Sequence, residues 1–276
     1  MKHEVLHLKD FFPELGANGC DPTLALYLPY NSPELCRPGL KRPSILICPG
    51  GGYAMVSDRE AEPIGLNFLP WGYNVFVLTY SIAPNRFPTQ LREVAAAMEL
   101  IHRNAALWEA DENRVAIMGF SAGGHLAAHY STCYDIPQVR EMFPESKPVQ
   151  ASILCYPVIS GDPAKTHLGS IQNLSGHEAL TDEDIALFSN ERHVKPSTPP
   201  AFLWHTATDE VVPVVNSLLY AQALAEQGVG FSLRIYPKGY HGLATVDDAT
   251  NGTLPGEMYL AHQWMEEAHK WLKTVF

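Results

Sequence analysis

Ser121 stands in Gly119-Phe120-Ser121-Ala122-Gly123, between the apolar run Val115–Met118 and a helix-like run that continues to Tyr130. A serine between glycines, where a strand gives way to a helix, fits G-x-S-x-G, the turn that raises a nucleophilic hydroxyl above a sheet. The glycines answer a steric demand, because side chains at Gly119 and Gly123 would collide with neighbouring backbone. A helix beginning behind the serine also favours developing negative charge. The plain alternative is a glycine-rich turn with an incidental serine. Placement between a buried strand and a helix weighs against it.

A serine hydroxyl is a weak nucleophile and needs a base, which in turn needs an orienting acid. On a sheet that carries this turn, the chain order is Ser, then Asp or Glu, then His. Twelve histidines compete. His241, in Tyr236-Pro-Lys-Gly-Tyr-His241-Gly-Leu, follows the last strand-like run on a glycine-flanked loop and is the candidate base. His125 lies on the helix after the serine and reads as a packing or capping residue. His205 ends a strand, near the site but not the base. His167, His177 and His193 fall in a polar insertion and could touch substrate, with solvated loop histidines the favoured reading. Asp209, after the strand Ala201–Trp204 and before a helix near Pro213, is the candidate acid. Its rival is the neighbouring Glu210, and its plain alternative is a turn or cap aspartate.

The tetrahedral intermediate of such a reaction carries an oxyanion that needs donors. Pro49-Gly50-Gly51-Gly52-Tyr53 directly follows an apolar strand, and consecutive glycines let backbone N–H groups face a substrate. The donors are assigned to Gly51, Gly52 and Ala122, the last being the residue after the nucleophile. A phosphate-binding loop is excluded, since neither G-x-x-x-x-G-K-[ST] nor a G-x-G-x-x-G with its following acid occurs. Arg59 and Glu60, a little further on, read as a surface ion pair outside the site.

These residues need a scaffold. Short apolar runs at Ile45–Cys48, Val75–Leu78, Val115–Met118, Ser152–Cys155, Ala201–Trp204 and Phe231–Ile235 suit strands buried on both faces. Helix-period segments at Thr89–Leu107, Pro213–Gln227 and Glu257–Thr274 separate or follow them. Such alternation predicts an α/β fold with a mostly parallel, doubly wound sheet, reactive at the C-terminal ends of its strands. Glu4–Leu8 and Thr23–Leu28 predict an antiparallel N-terminal edge. Residues 158–200 break the rhythm and predict a small lid insertion with short helices, one near Thr181–Ser189 capped by Thr181 with Asp184. The expectation is one domain over residues 1–276.

At 276 residues the chain can bury a large core without staples. Net charge −11 with no basic cluster argues against nucleic acid and against an anionic membrane face. The N-terminus lacks the apolar core of a signal peptide, and no run reaches the ~18 apolar residues of a membrane span. The expectation is a cytoplasmic chain. Five cysteines without a C-x-x-C pair indicate neither a disulfide framework nor a zinc site.

Together the glycine loop, the elbow and the Asp/His order resemble the α/β-hydrolase superfamily over nearly the whole chain. More narrowly, CPGGGY, SDREAEPIG, YSIAPNRFP, GFSAGGHLA, TPPAFLWHTATDEVVP and GYHGL resemble the bacterial acetyl-xylan or feruloyl esterase-like group. That resemblance implies a cofactor-free serine carboxylesterase with Ser121, Asp209 and His241 as its triad. It further implies short-chain, acetyl-type esters, as small molecules or oligosaccharides. Pro49 departs from the histidine that opens the glycine loop in better-known lipases, so any support from that imidazole is missing here. An amide-cleaving hydrolase, formamidase-like or a small peptidase, is the alternative. A non-catalytic binder commonly loses a triad member, and none is lost. The sequence leaves the natural ester and any homo-oligomer open.

Overall fold

The apolar runs become strands where expected. In the computed structural model, which describes residues 1–17, 19–32, 34 and 39–276, the strands are β1 (Lys2–His7), β2 (Thr23–Leu28), β3 (Arg42–Cys48), β4 (Asn74–Thr79), β5 (Ala110–Phe120), β6 (Ala151–Cys155), β7 (Ala201–Thr206) and β8 (Phe231–Tyr236). They form one sheet of order β1-β2-β4-β3-β5-β6-β7-β8. The β1/β2 and β2/β4 pairs are antiparallel and every later pair is parallel.

Helices pack on both faces. They are α1 (Glu62–Phe68), α2 (Thr89–Arg103), α3 (Ser121–Cys133), α4 (Pro137–Arg140), α5 (Leu168–Ser175), α6 (Asp182–Phe188), α7 (Val215–Glu226), α8 (Asp248–Asn251) and α9 (Trp264–Val275). Leu46, Leu78, Ile117, Leu154 and Leu203 point to the layer holding α2, α3 and α7. Their neighbours Ile47, Val77, Met118, Ile153 and Trp204 point to the layer of α1 and α9. Each such side chain contributes ~2 kcal/mol or more by leaving water. That double burial is why the central strands read as unbroken apolar runs rather than alternating ones.

Two elements differ from expectation. β8 is not buried on both faces. It is the sheet's last strand, and of its residues only Tyr236 is buried. The predicted helix Glu257–Thr274 divides into a 3-10 helix, Gly256–Gln263, and α9. The reason lies in the spacing. Met258, Ala261 and Trp264 recur every three residues, which matches 3-10 winding, whereas Trp264, Ala268 and Leu272 follow an α-helical repeat.

Between β6 and β7 the polar segment carries the short helices α5 and α6. Thr181 accepts the Asp184 N–H while the Asp184 carboxylate accepts the Thr181 N–H, a complete capping box. Among the described residues no helix is long and apolar enough to cross a membrane. Cys20, Cys48, Cys133 and Cys155 are free and buried, and Cys36 lies outside the described residues.

Candidate active site

β3 lies between β4 and β5 in the sheet, so the chain leaves β3 in one direction and returns on its other side with β5. A crevice forms at the C-terminal ends of strands at such a switch point. β3 delivers the glycine loop to this crevice and β5 delivers Ser121. Ser121 has φ +52°, a conformation disfavoured for a residue with a side chain. The strain is held by close packing. A Cβ on Gly123 would lie 2.1 Å from the Cys48 carbonyl oxygen, and one on Gly119 would lie 2.2 Å from the Gly123 oxygen. The Ser121 carbonyl is fixed from above by the Val158 N–H at 3.0 Å.

The loop after β8 brings His241 to this serine. His241 Nε2 is 2.7 Å from Ser121 Oγ, and His241 Nδ1 is 2.7 Å from Asp209 Oδ2. With Nδ1–H donating to the carboxylate, Nε2 is left to accept the serine proton. Asp209 follows β7. Its other oxygen accepts the N–H groups of Val211 and Val212, both at 2.9 Å. It is therefore also the turn aspartate of the plain alternative. Burial alone would raise its pKa, but hydrogen bonds from His205 and His241 and the charge of His241 outweigh burial and hold the carboxyl well below the usual range. Glu210 is exposed and takes no part in these bonds.

His205 lies closer to the machinery than its strand-end position suggested. It is fully buried, with Nε2 2.9 Å from the Val212 carbonyl and 3.3 Å from Asp209 Oδ2. Nδ1 meets Ser217 Oγ at 2.8 Å. Nε2–H donates toward both oxygens, so His205 fixes the acid and cannot serve as base. A ring donor at the end of a wholly apolar run, four residues before the candidate acid, was the signal available in the sequence.

The glycine loop is held without a leading histidine. The Tyr80 hydroxyl donates to the Pro49 carbonyl at 2.6 Å. The Tyr53 hydroxyl meets His125 Nδ1 at 3.0 Å, while His125 Nε2 donates to the Phe188 carbonyl at 2.9 Å. Burial lowers the His125 pKa to about 4, so the ring is neutral and serves packing, as its helix position suggested. Ala54 and Met55 N–H groups close onto the Gly51 carbonyl, and Gly51 itself has φ +128°. The N–H groups of Gly51 and Gly52 have no acceptor within the loop's hydrogen-bond pattern. Ala122 sits in the first turn of α3, where N–H groups lack intrahelical acceptors.

Arg59 and Glu60 do not form a surface ion pair. Arg59 donates to the Gly242 carbonyl at 3.0 Å, and Glu60 is buried, accepting the Gly50 N–H at 2.8 Å. The 3-10 turn Asp58–Glu60 sends the two side chains to different partners.

A cavity of about 400 Å³ opens over Ser121 and His241. Gly51 and Gly52 form one wall; Met55 and Val211 give it apolar surface; His167, Gly169 and Asn173 reach it from the β6–β7 segment. His167 is thus not a solvated loop histidine. Its Nδ1 meets Ser170 Oγ at 2.8 Å, and burial followed by the charge of His241 lowers its pKa. Asn173 donates to the Gly52 carbonyl at 2.8 Å. His177 and His193 remain outside the cavity, the former against Asp184 and the latter against helix carbonyls. Among the described residues no group of three or more His, Cys, Asp or Glu side chains could hold a metal ion.

The BD-FAE family model matches residues 26–224, which span the glycine loop, the elbow and Asp209. The chain belongs to the BD-FAE family. This BD-FAE member is 36% identical over 236 residues to endo-1,4-beta-xylanase B of Butyrivibrio fibrisolvens, a match covering 82% of the chain and 36% of that protein. It is 33% identical over 240 residues to an acetylxylan esterase of Xylanibacter ruminicola, covering 84% of the chain and 45% of the relative. The chain thus spans less than half the length of these curated relatives. The crystal structure of an acetyl ester-xyloside bifunctional hydrolase from Caldicellulosiruptor lactoaceticus superposes with a TM-score of 0.83 at 32% identity, covering 99% of the BD-FAE chain and 96% of the other. The mostly parallel sheet, its antiparallel edge and its flanking helices are an α/β-hydrolase fold.

Proposed function

We propose that the protein is a serine carboxylesterase that removes short acyl groups, acetyl above all, from carbohydrate or related alcohols. The observation that carries this reading is the unbroken hydrogen-bonded chain Ser121–His241–Asp209, whose first two members line the cavity. His241 Nε2 takes the hydroxyl proton as Ser121 Oγ attacks the ester carbonyl. The resulting imidazolium is stabilised by Asp209. The N–H groups of Gly51, Gly52 and Ala122 hold the oxyanion. Collapse expels the alcohol, which takes the proton from His241, and leaves an acyl-serine. Water, deprotonated by His241, then releases the carboxylic acid and restores the serine.

The cavity supports a short acyl group. About 400 Å³ shared between two parts of a substrate accommodates a small acyl chain against Met55 and Val211. His167 and Asn173 present polar groups suited to a hydroxylated alcohol. The names of the acetylxylan esterase and the acetyl ester-xyloside hydrolase support the same substrate class. The β6–β7 segment acts as the lid over the alcohol side.

Ser121→Ala should lower kcat by on the order of 10⁶ on p-nitrophenyl acetate. A purified, folded variant that keeps most of the turnover would overturn the assignment. Across p-nitrophenyl esters from C2 to C12, the optimum should fall at the short end; a peak at C8 or longer contradicts the acyl assignment. Formyl anilides, offered alongside acetyl esters, should give the lower kcat/KM.

A further inference from the structure

A buried carboxylate stands where three loops of the cavity meet. Glu60 is 3% exposed. Its Oε2 accepts the Gly50 N–H at 2.8 Å, and its Oε1 accepts the Tyr156 hydroxyl at 2.7 Å. The same tyrosine oxygen accepts the Ala244 N–H at 3.0 Å. Gly50 opens the glycine loop after β3, Tyr156 follows directly on β6, and Ala244 belongs to the loop that carries His241. Tyr156 also sets its ring edge-on to the His241 ring at 5.1 Å, and Glu60 lines the same cavity as His241.

The bonding of Glu60 suits a carboxylate. Both partners are donors, so both of its oxygens accept. Burial raises the Glu60 pKa above its ordinary value, and the Tyr156 and Gly50 hydrogen bonds and the charges of His241 and Arg59 offset only part of that rise. An ion held out of water is costlier to bury than a neutral side chain of the same shape. A spacer between two N–H groups would not require that cost. A charge beside the base has a use, because His241 becomes positive as Ser121 loses its proton.

We propose that Glu60 is a positioning residue for the reaction: it fastens the oxyanion loop and the His241 loop to one tyrosine hydroxyl, and its carboxylate favours the imidazolium formed during attack. The proposal rests on the Ser121–His241–Asp209 reading given above. His241 is faced by Asp209 from the loop after β7, by Tyr156 from β6, by Glu60 and Arg59 from the segment after β3, and by His167 from the lid. Tyr80 and Cys155 complete the titratable groups around Glu60.

The test compares Glu60→Gln, Glu60→Asp and Tyr156→Phe with wild type on p-nitrophenyl acetate across pH. Glu60→Gln keeps the shape and removes the charge. Its kcat should fall roughly tenfold with KM little changed, and the acid limb of its kcat/KM profile should move to lower pH by about half a unit or more. Glu60→Asp keeps the charge and shortens the reach, so its kcat should fall while the acid limb stays near wild type. A purely structural role would not separate the two. A Glu60→Gln variant with an unmoved acid limb or a wild-type kcat overturns the proposal. Should Glu60→Gln not fold, Tyr156→Phe decides: the shared hydroxyl is lost, and a wild-type kcat there overturns it equally. Fluorophosphonate labelling of wild type and variants separates this from the triad. An unlabelled wild type refutes the triad, whereas a labelled Glu60→Gln with a wild-type profile refutes only the role of Glu60.

Discussion

At the scale of single residues, the site depends on what is absent as much as on what is present. Gly123 has no Cβ because the Cys48 and Pro49 carbonyl oxygens occupy the space, 2.1 and 2.2 Å from where it would be. Both contacts are backbone, so nothing flexible can give way. Gly123→Ala should therefore abolish esterase activity and lower the melting temperature by several degrees, measured by p-nitrophenyl acetate turnover and thermal denaturation. An active, normally stable Gly123→Ala would show that the elbow has more slack than this packing allows. Asp209 fixes the tautomer of His241, so Asp209→Asn should reduce kcat by about 10⁴ while leaving KM near wild type. The meeting of Ser121, Asp209 and His241 was legible in the sequence because each follows a strand and has a recognisable neighbour: glycines at Ser121, a following helix at Asp209, a glycine-flanked loop at His241. Glu60 was not legible. Adjacent Arg and Glu suggest a pair on paper, and only the 3-10 turn reveals that they separate. His167 was half legible: its place in the insertion left substrate contact open, but nothing local says that its loop folds back over the serine.

At the scale of elements, two helices carry measurable consequences. The start of α6 depends on Thr181, whose hydroxyl accepts the Asp184 N–H. Thr181→Ala should cost ~1 kcal/mol, which for a chain of this size lowers the melting temperature by roughly 2–4 °C. Activity should change little, because α6 does not reach the cavity; a large loss of kcat would place this helix in the active lid. Helix α2 buries Glu93, which accepts the Ser81 N–H at 2.7 Å and the Ser81 hydroxyl. Burial raises its pKa to about 7 despite those bonds. The folded state then holds a proton that the unfolded state gives up at its ordinary, lower pKa. Stability from this group is greatest at acid pH, falls as pH rises toward 7, and is flat above it, a swing of up to about 3 kcal/mol. Glu93→Gln removes the swing. Its melting temperature relative to wild type should improve from pH 5 to pH 8, and a difference that does not vary with pH would refute this. The strands and α2 were readable because burial on both faces, or on one stripe, leaves a periodic mark. β8 misled because an edge strand can carry apolar residues without burying them, and the final helix misled because a three-residue repeat was absorbed into a longer helical pattern.

At the scale of the whole molecule, the sheet separates support from chemistry. The α9 layer seals the side of the sheet away from α3. Leu272, fully buried there, should lose ~2–5 kcal/mol of stability on Leu272→Ala, with kcat/KM at moderate temperature close to wild type. A matching drop in kcat/KM would mean that the two layers are coupled. The doubly wound plan was legible from strand–helix alternation, and residues 158–200 were expected as a lid insertion; the particular contacts of that segment with the glycine loop were not legible, because they span a long stretch of chain. Those contacts carry a consequence for selectivity. Asn173 of α5 donates to the Gly52 carbonyl, so the roof is sewn to the strip proposed to cradle the nascent oxygen, and the Leu174 carbonyl, accepting the Phe87 N–H, ties it down on a second side. Lifting the roof to admit a bulky guest would drag that strip out of register. Oversized esters should therefore fail in turnover rather than in capture, and selection among them becomes a matter of rigid shape.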